Sequence, residues 1–257
     1  AHHPHPAVLP PKVKFFGLAD YESTWHAMKH FTSHRNPDTR DEIWILQHPA
    51  TYTQGQAGKP EHLLNARRIP VIQIDRGGQI TYHGPGQIVA YLLLDLRRWR
   101  INVRELVRLM EQSIIDILAD YNITASGRVD APGVYVGDAK IAALGLKIKH
   151  SCCYHGLSFN IDMDLTPYDY INPCGYKGLR VTQLGNFGVS TPIAELQTQL
   201  AQNLVDGLQQ HKAECVKNEL LAHKGSPHPP LRSTLSPLSG EREHLAPSPR
   251  LRGEGWG

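Results

Sequence analysis

Apolar side chains recur at helical spacing in three parts of the chain, and these parts are predicted to be amphipathic helices. The first helix is predicted over residues 20–34, the second over residues 103–121, and the third from the Thr-Pro pair at 191–192. Asn102 and Glu105 are spaced as a capping box ahead of the second helix. The apolar face of the first helix consists of Tyr21, Trp25, Met28 and Phe31. That of the second consists of Leu106, Leu109, Met110, Ile114, Ile117 and Leu118, and that of the third of Leu196, Leu200, Leu204 and Leu208.

Short apolar runs between these helices predict β-strands. The second strand of a hairpin is expected to begin at Lys140, after a turn formed by Gly137 and Asp138. Strands and helices occur in clusters instead of alternating regularly, which favours an α+β fold over a doubly wound parallel sheet. The predicted strands cover residues 42–47, 69–74, 88–94, 133–136, 140–150 and 156–161.

Both ends of the chain differ in composition from the middle. Ten of the 19 prolines lie in residues 1–11 or 224–257, and the C-terminal segment has few large apolar residues. Such a composition cannot build a core, so residues 1–11 and 223–257 are predicted to be disordered. The folded domain is therefore expected to cover residues 12–222.

The overall composition is that of a soluble globular protein, with 40% hydrophobic and 20% charged residues. We find neither an apolar run long enough to span a bilayer nor a signal peptide, and we expect a cytoplasmic protein. The net charge is +3, which does not suggest a nucleic-acid-binding protein. The four cysteines lack Cys-x-x-Cys spacing and are expected to be reduced thiols.

A glycine-rich segment at residues 76–87 is the most informative part of the chain. It contains four glycines and one proline, and it lies between two predicted strands. Glycine allows the backbone to approach another group closely, so this segment is predicted to be a loop that lines a binding site. Its side chains able to do chemistry are Arg76, Thr81, Tyr82, His83 and Gln87.

Two further residues are candidates for catalysis. Lys140 lies at the edge of an apolar strand, where desolvation would lower its pKa and make it a usable base; the alternative is an exposed strand-end lysine. Cys174, between Pro173 and Gly175, is expected in a tight loop as a nucleophile; the alternative is a small buried hydrophobic residue. His83 and His155, each before a glycine, are expected in loops, but no ligand spacing supports a metal site.

Four segments, in the same order, together resemble one family, the lipoyl(octanoyl) transferases of lipoate synthesis. They are residues 48–55, the glycine-rich segment, residues 140–145 with 155–156, and residues 173–175. The resemblance covers about residues 14–210 and implies a fold like that of the biotin/lipoate protein ligases, a mixed β-sheet flanked by helices. Leu92 stands where the family commonly has proline, which concerns strand geometry and no chemical role.

The resemblance also implies roles for individual residues. Cys174 would be the nucleophile that carries an acyl thioester, and Lys140 would activate it and shuttle protons. No cofactor and no metal are implied. The implied substrate contacts are Arg76, Gly77, Gly78, Gln79, Ile80, Thr81, Tyr82, His83, Ala143, Leu144, Gly145, Gly156, Leu157 and Ser158.

The implied reaction is transfer of an octanoyl group from octanoyl-acyl carrier protein to a lysine of lipoyl domains. The acceptors would be the lipoyl domains of 2-oxoacid dehydrogenase complexes and the glycine cleavage H protein. Two alternatives stay open. One is an ATP-dependent lipoate or biotin ligase, which needs a lysine for phosphate but no nucleophilic cysteine. The other is a non-catalytic protein that binds acyl chains or lipoyl domains.

Overall fold

The predicted helices and strands are all present in the computed structural model, which describes residues 8–224. Residues 1–7 and 225–257, and with them most of the two predicted disordered ends, lie outside the described residues. The helices are α1 (Tyr21–His34), α2 (Leu96–Trp99), α3 (Val103–Asp120) and α4 (Ile193–Lys224). The strands are β1 (Lys12–Leu18), β2 (Glu42–Gln47), β3 (Thr51–Gln54), β4 (Val71–Gln73), β5 (Ile80–His83), β6 (Gln87–Asp95), β7 (Ser126–Gly127), β8 (Gly133–Val136), β9 (Ala139–Lys149) and β10 (Cys152–Asn160).

Helix boundaries follow the capping signals of the sequence. At the start of α3 the Glu105 N–H donates to Asn102 Oδ1 and the Asn102 N–H donates to Glu105 Oε2, both at 2.9 Å. The predicted capping box is therefore confirmed. Asp20 caps α1 in a similar way by accepting from the Ser23 N–H at 2.9 Å. Each cap satisfies backbone donors that a helix N-terminus leaves free.

The strands form two mixed sheets. The large sheet has the order β1-β2-β6-β10-β9-β8-β7, and the small sheet has the order β4-β3-β5. In the large sheet β1 and β2 are parallel and the other neighbours are antiparallel. The prediction of a mixed sheet flanked by helices is thus confirmed, as is the β8–β9 hairpin.

Strand β6 lies in the middle of the core because both of its faces are covered. Alternate residues from Ile88 to Leu94 pack with α3 and α4, whereas Val89, Tyr91 and Leu93 pack on the other face against Met28 of α1. Burial on both faces explains why this strand is a continuous apolar run instead of an alternating one.

Four strands were not predicted, namely β1, β3, β5 and β7, and β7 is only two residues long. β1 is an edge strand with exposed side chains, including Phe15 at 54% and Leu18 at 62%, so it has no regular apolar face. β3 and β5 are only four residues long. Because β5 occupies residues 80–83, the glycine-rich segment is not a continuous loop, and this part of the prediction is wrong.

The four cysteines are all free thiols. Cys152 and Cys153 begin β10 and are buried, Cys153 completely, so both are packing residues. Among the described residues, none of the helices has the length and apolar character needed to cross a membrane.

Helix α4 offers a direct test of the core. Leu204 is completely buried, whereas Leu220 in the same helix is 58% exposed. We expect Leu204→Ala to lower the free energy of unfolding by about 2–5 kcal/mol, since it removes buried methyl groups and leaves a cavity. Leu220→Ala should change it by less than about 0.5 kcal/mol. Urea denaturation of both variants measures this, and equal losses would contradict the packing described.

Candidate active site

A cavity of about 410 Å³ lies between the glycine-rich segment and strands β9 and β10. All predicted site residues line it except Ile80 and Tyr82. The predicted residues that line it are Cys174, Lys140, Arg76, Gly77, Gly78, Gln79, Thr81, His83, Ala143, Leu144, Gly145, Gly156, Leu157 and Ser158. Sequence positions up to about 100 residues apart thus meet at one site.

Ile80 and Tyr82 face away from the cavity because successive side chains of a strand point to opposite sides. In β5, Thr81 and His83 line the cavity, while Ile80 and Tyr82 pack with Tyr52 and Tyr168 in a separate apolar cluster. The prediction treated these residues as a loop, in which alternation does not apply. As strand residues, Ile80 and Tyr82 support the wall of the cavity from behind.

Lys140 and Cys174 form a close pair at one end of the cavity. The Lys140 side chain is buried at 4% exposure, and Nζ donates to Cys174 Sγ and to the Pro132 carbonyl, both at 3.2 Å. Cys174 lies in the turn Pro173–Gly175, where it adopts a positive φ of 55°. The partly accessible Cys174 sulfur thus lies directly against a buried lysine amine.

The backbone holds this pair together across 34 residues of sequence. The Lys140 N–H donates to the Arg180 carbonyl at 2.8 Å, and the Thr182 N–H donates to the Lys140 carbonyl at 2.9 Å. The segment after Cys174 therefore runs beside β9 like an additional strand. Because it follows the Cys174 turn directly, its pairing with β9 fixes the sulfur relative to the ammonium.

Electrostatics at Lys140 differ from the prediction. Burial by itself lowers the pKa of this ammonium, but the negative charge of the Cys174 thiolate opposes it, and the net pKa of Lys140 is raised. The predicted depression of the pKa is therefore wrong while the thiolate is present. In this state Lys140 is a proton donor and not yet a base.

Close backbone contact forms the floor of the cavity. Gly156 pairs with Tyr91 of β6 and with Gly145 of β9, and a Cβ added to Gly156 would lie 2.1 Å from the Ala90 carbonyl oxygen. Any other residue would have to push β6 away. The Gly77 N–H donates to the Leu146 carbonyl at 3.0 Å, which attaches the glycine-rich segment to β9.

Arg76 is buried in the cavity wall without a carboxylate partner in the described chain. Its guanidinium donates to Thr53 O and Oγ1 at 2.9 Å each and to the Gly77 carbonyl at 2.9 Å. Burial lowers its pKa, although an arginine stays charged in proteins. The positive charge is thus held by neutral acceptors and extends its field into the cavity.

His83 and His155 lie in strands and not in loops, which corrects the prediction. The His155 side chain is 1% exposed, and its Nε2 donates to Asp75 Oδ1 at 2.9 Å. Asp75 also accepts from Trp25 Nε1 at 2.8 Å and from the Tyr154 hydroxyl. Burial alone would raise the pKa of Asp75, but these donors hold it well below its usual range.

Asp75 and Tyr91 were not identified from the sequence. His155 and Tyr154 are consecutive in β10 yet both contact Asp75, because His155 has a positive φ of 64° that breaks the strand alternation. Tyr91 lines the cavity and its hydroxyl donates to His48 Nε2 at 2.7 Å. The position of Asp75, directly before Arg76 at the end of a strand, was the available signal.

Comparison with known proteins identifies the family of this chain. The family described as lipoyl protein ligase A/B catalytic domain matches residues 20–205. The chain belongs to this family. An octanoyltransferase of Nitrosomonas europaea is 60% identical over 196 residues, which is 76% of this chain and 96% of the relative. An octanoyltransferase of Dechloromonas aromatica is 58% identical over 202 residues, 79% of this chain and 98% of the relative.

Solved structures of lipoate and biotin protein ligases share the fold at low identity. Lipoate-protein ligase A bound with ATP has a TM-score of 0.62 at 13% identity, covering 83% of this chain and 95% of its own. The biotin protein ligase from Aquifex aeolicus, in complex with biotin and ATP, has a TM-score of 0.51 at 10% identity, covering 79% and 72%. The predicted biotin/lipoate ligase-like fold is confirmed.

No cluster of three histidine, cysteine, aspartate or glutamate residues suited to hold a metal ion occurs within residues 8–224. Two buried histidines in and behind the cavity wall of this lipoyl protein ligase A/B family member are bonded instead to protein groups. His48 Nδ1 donates to the Ala19 carbonyl at 2.6 Å, which leaves Nε2 to accept from Tyr91. His83 Nδ1 contacts Gln87 Oε1 at 2.8 Å.

Because two histidines are buried in the neutral form, we expect the free energy of unfolding to fall in acid. Burial lowers the pKa of His48 to about 4 and that of His83 to about 3, against about 6.5 in the unfolded chain. As the pH falls below 6.5 the unfolded state binds protons that the folded state does not, so the folded state loses stability. Lowering the pH from about 7.5 to about 5 should cost on the order of 2 kcal/mol through His48 alone.

Urea denaturation of the wild type and of His48→Gln at these two pH values checks this. Glutamine does not titrate, so its stability should depend less on pH by the amount given for His48. Identical pH dependence in the two proteins would show that His48 is not held neutral by the fold.

Proposed function

We propose that the chain transfers an octanoyl group from octanoyl-acyl carrier protein to a lysine of lipoyl domains, through a thioester on Cys174. The observation that carries this proposal is the 3.2 Å contact between Lys140 Nζ and Cys174 Sγ at one end of a mostly apolar cavity. The membership in a family with octanoyltransferase relatives at about 60% identity supports it.

In the first half-reaction the Cys174 thiolate attacks the carbonyl carbon of the donor thioester. A new carbon–sulfur bond forms to Cys174, and the bond to the carrier sulfur breaks. The carrier leaves as a thiol after taking a proton from the Lys140 ammonium. One thioester replaces another, so this step requires no ATP. Lys140 ends the step as a neutral amine beside an uncharged acyl-cysteine.

Acylation changes the balance that determines the pKa of Lys140. Burial lowers this pKa, whereas the Cys174 thiolate and Tyr135 raise it. Once the sulfur carries an acyl group, the contribution of the thiolate is lost and the effect of burial carries more weight. The neutral amine is then favoured, because a buried ammonium without a counter-charge is costly. Lys140 thereby becomes a general base at the point in the reaction that requires one.

In the second half-reaction the amine of the acceptor lysine attacks the acyl-cysteine. A carbon–nitrogen bond forms, the bond to Cys174 breaks, and Lys140 takes the proton that the amine nitrogen loses. The thiolate and the ammonium are both restored. An amide replaces a thioester, which is downhill, so acyl transfer proceeds without an activated adenylate.

The cavity suits a medium-length acyl chain. Its volume of about 410 Å³ lies in the range of small-molecule sites. Its walls combine apolar side chains such as Val89, Leu144 and Leu157 with backbone at Gly77, Gly78 and Gly156. The predicted contacts at residues 76–83, 143–145 and 156–158 are proposed to hold the chain, with Ile80 and Tyr82 acting from behind the wall.

The proposal includes partners and location. The acceptors would be the lipoyl domains of 2-oxoacid dehydrogenase complexes and the glycine cleavage H protein, all in the cytoplasm. An ATP-dependent ligase is not favoured, because a ligase makes no use of a thiol held beside a buried ammonium. A non-catalytic acyl-binding protein would not require that pair either.

Replacement of the nucleophile tests the reaction directly. With octanoyl-acyl carrier protein, the wild type should gain the mass of one octanoyl group, and a lipoyl domain should remove it. Cys174→Ser should show no adduct and should lower transfer by at least about 10³-fold. Cys215→Ser, which replaces another partly exposed thiol, is the control and should form the adduct normally. Full transfer by Cys174→Ser would exclude the thioester intermediate.

Replacement of the lysine separates its role from simple packing. Lys140→Met keeps a similar length without the charge, and it should slow both half-reactions by about 10²–10⁴-fold, the usual contribution of a general acid–base group. Lys149→Met, on the exposed end of the same strand, should retain normal rates. Single-turnover mass spectrometry resolves the two steps, and a Lys140→Met enzyme with wild-type rates in both would overturn the assignment.

A further inference from the structure

Glu111 of α3 is connected to the proposed catalytic pair by a hydrogen-bonded chain. The residue is partly buried, two helical turns after Val103 and one after Val107, both of which line the cavity. Its Oε1 accepts from the Gly133 N–H at 3.2 Å. On the other side of the same peptide group, the Pro132 carbonyl accepts from Lys140 Nζ at 3.2 Å.

The peptide group between Pro132 and Gly133 therefore lies between a carboxylate and an ammonium. A trans peptide directs its N–H and its C=O to opposite sides, and no cis peptide bond occurs in the described chain. Both partners polarise the peptide in the same direction, so each hydrogen bond strengthens the other. The chain runs from Glu111 through this peptide group to Lys140 and ends at Cys174 Sγ.

Gly133 is fitted to this arrangement. Its φ is +153°, and a Cβ built on it would lie 2.8 Å from Lys140 Cε and 3.3 Å from Nζ. The lysine side chain thus runs directly over the glycine, and the orientation of this peptide group determines where Nζ points. A shift of the peptide group would move the ammonium away from the sulfur.

We propose that Glu111 is a positioning residue that holds the Lys140 ammonium against Cys174 by anchoring the peptide group between Pro132 and Gly133. This inference rests on the proposed function of Lys140. Glu111 touches neither the substrate site atoms nor Lys140 itself, and it acts through the backbone hydrogen bond. Its role is to limit the positions that a long, flexible side chain can adopt.

The surroundings of both groups agree with this role. Burial raises the pKa of Glu111, while Gly133, Arg108 and Lys140 oppose the shift, as expected for a carboxylate drawn from water into a specific contact. The charged or titratable groups that act on Lys140 are Cys174, Glu111 and Tyr135. The centre of the Tyr135 ring lies 5.4 Å from Nζ.

The decisive experiment measures the alkylation rate of Cys174 by iodoacetamide at pH 7, read by peptide mass spectrometry. This rate reports the thiolate and requires no acyl donor, so its result is independent of whether octanoyl is the natural group. Glu111→Leu removes the acceptor, and Glu111→Gln keeps an acceptor oxygen at the same distance. Glu195→Leu, which removes an exposed carboxylate from α4, is the control.

We expect Glu111→Leu to lower the alkylation rate by about 10-fold, a typical coupling between residues joined by one hydrogen-bond network. Glu111→Gln should stay within about threefold of the wild type, and Glu195→Leu should match it. In a Lys140→Met background Glu111→Leu should change the rate by less than about twofold, because no ammonium remains to be positioned. In octanoyl transfer, kcat should fall with little change in the KM for the donor.

The opposite results would overturn the proposal. An equal loss of alkylation rate in the Lys140 and Lys140→Met backgrounds would mean that Glu111 supports the fold and not the lysine. A Glu111→Gln enzyme as slow as Glu111→Leu would mean that the hydrogen bond to Gly133 is not what matters. Thermal melting of each variant identifies a general loss of folding. Such a loss would not depend on the presence of Lys140, so it cannot reproduce the expected result.

Discussion

The active end of the cavity depends on the burial of one ammonium. Removing the Lys140 charge from water is costly unless partners replace the lost hydration, and here they are the Cys174 sulfur and the Pro132 carbonyl. The remaining local features follow from this requirement. Residue 133 must be glycine so that the side chain can pass, and residues 180–182 must pair with β9 so that the sulfur stays within reach.

The rest of the cavity shows how a protein can bury many polar groups around an uncharged ligand. Arg76 donates only to neutral oxygens, His48 and His83 are held neutral by burial, and Asp75 is the carboxylate that accepts from three donors. Each of these groups is bonded to neighbouring protein groups. A wall whose charged groups are already held by protein partners need not reorganise when an acyl chain enters.

Sequence periodicity predicted the parts of the fold that depend on one element at a time. The three long helices, the Asn102 capping box and the β8–β9 hairpin are local patterns, and all were found. Strands β3 and β5 were missed because each has only four residues and is stabilised by pairing within the small sheet. The same limit hid Asp75 and Glu111, since each acts through a contact with a residue far away in the sequence.

The order of the two proposed half-reactions follows from the charges of the pair. While the thiolate is present, it holds Lys140 as an ammonium, which can give a proton to a leaving carrier thiol but cannot accept one from an amine. Once Cys174 is acylated, the counter-charge is gone and burial favours the neutral amine. An acceptor lysine that arrives before acylation finds neither an acyl-cysteine to attack nor a base, so in this scheme the same step supplies both.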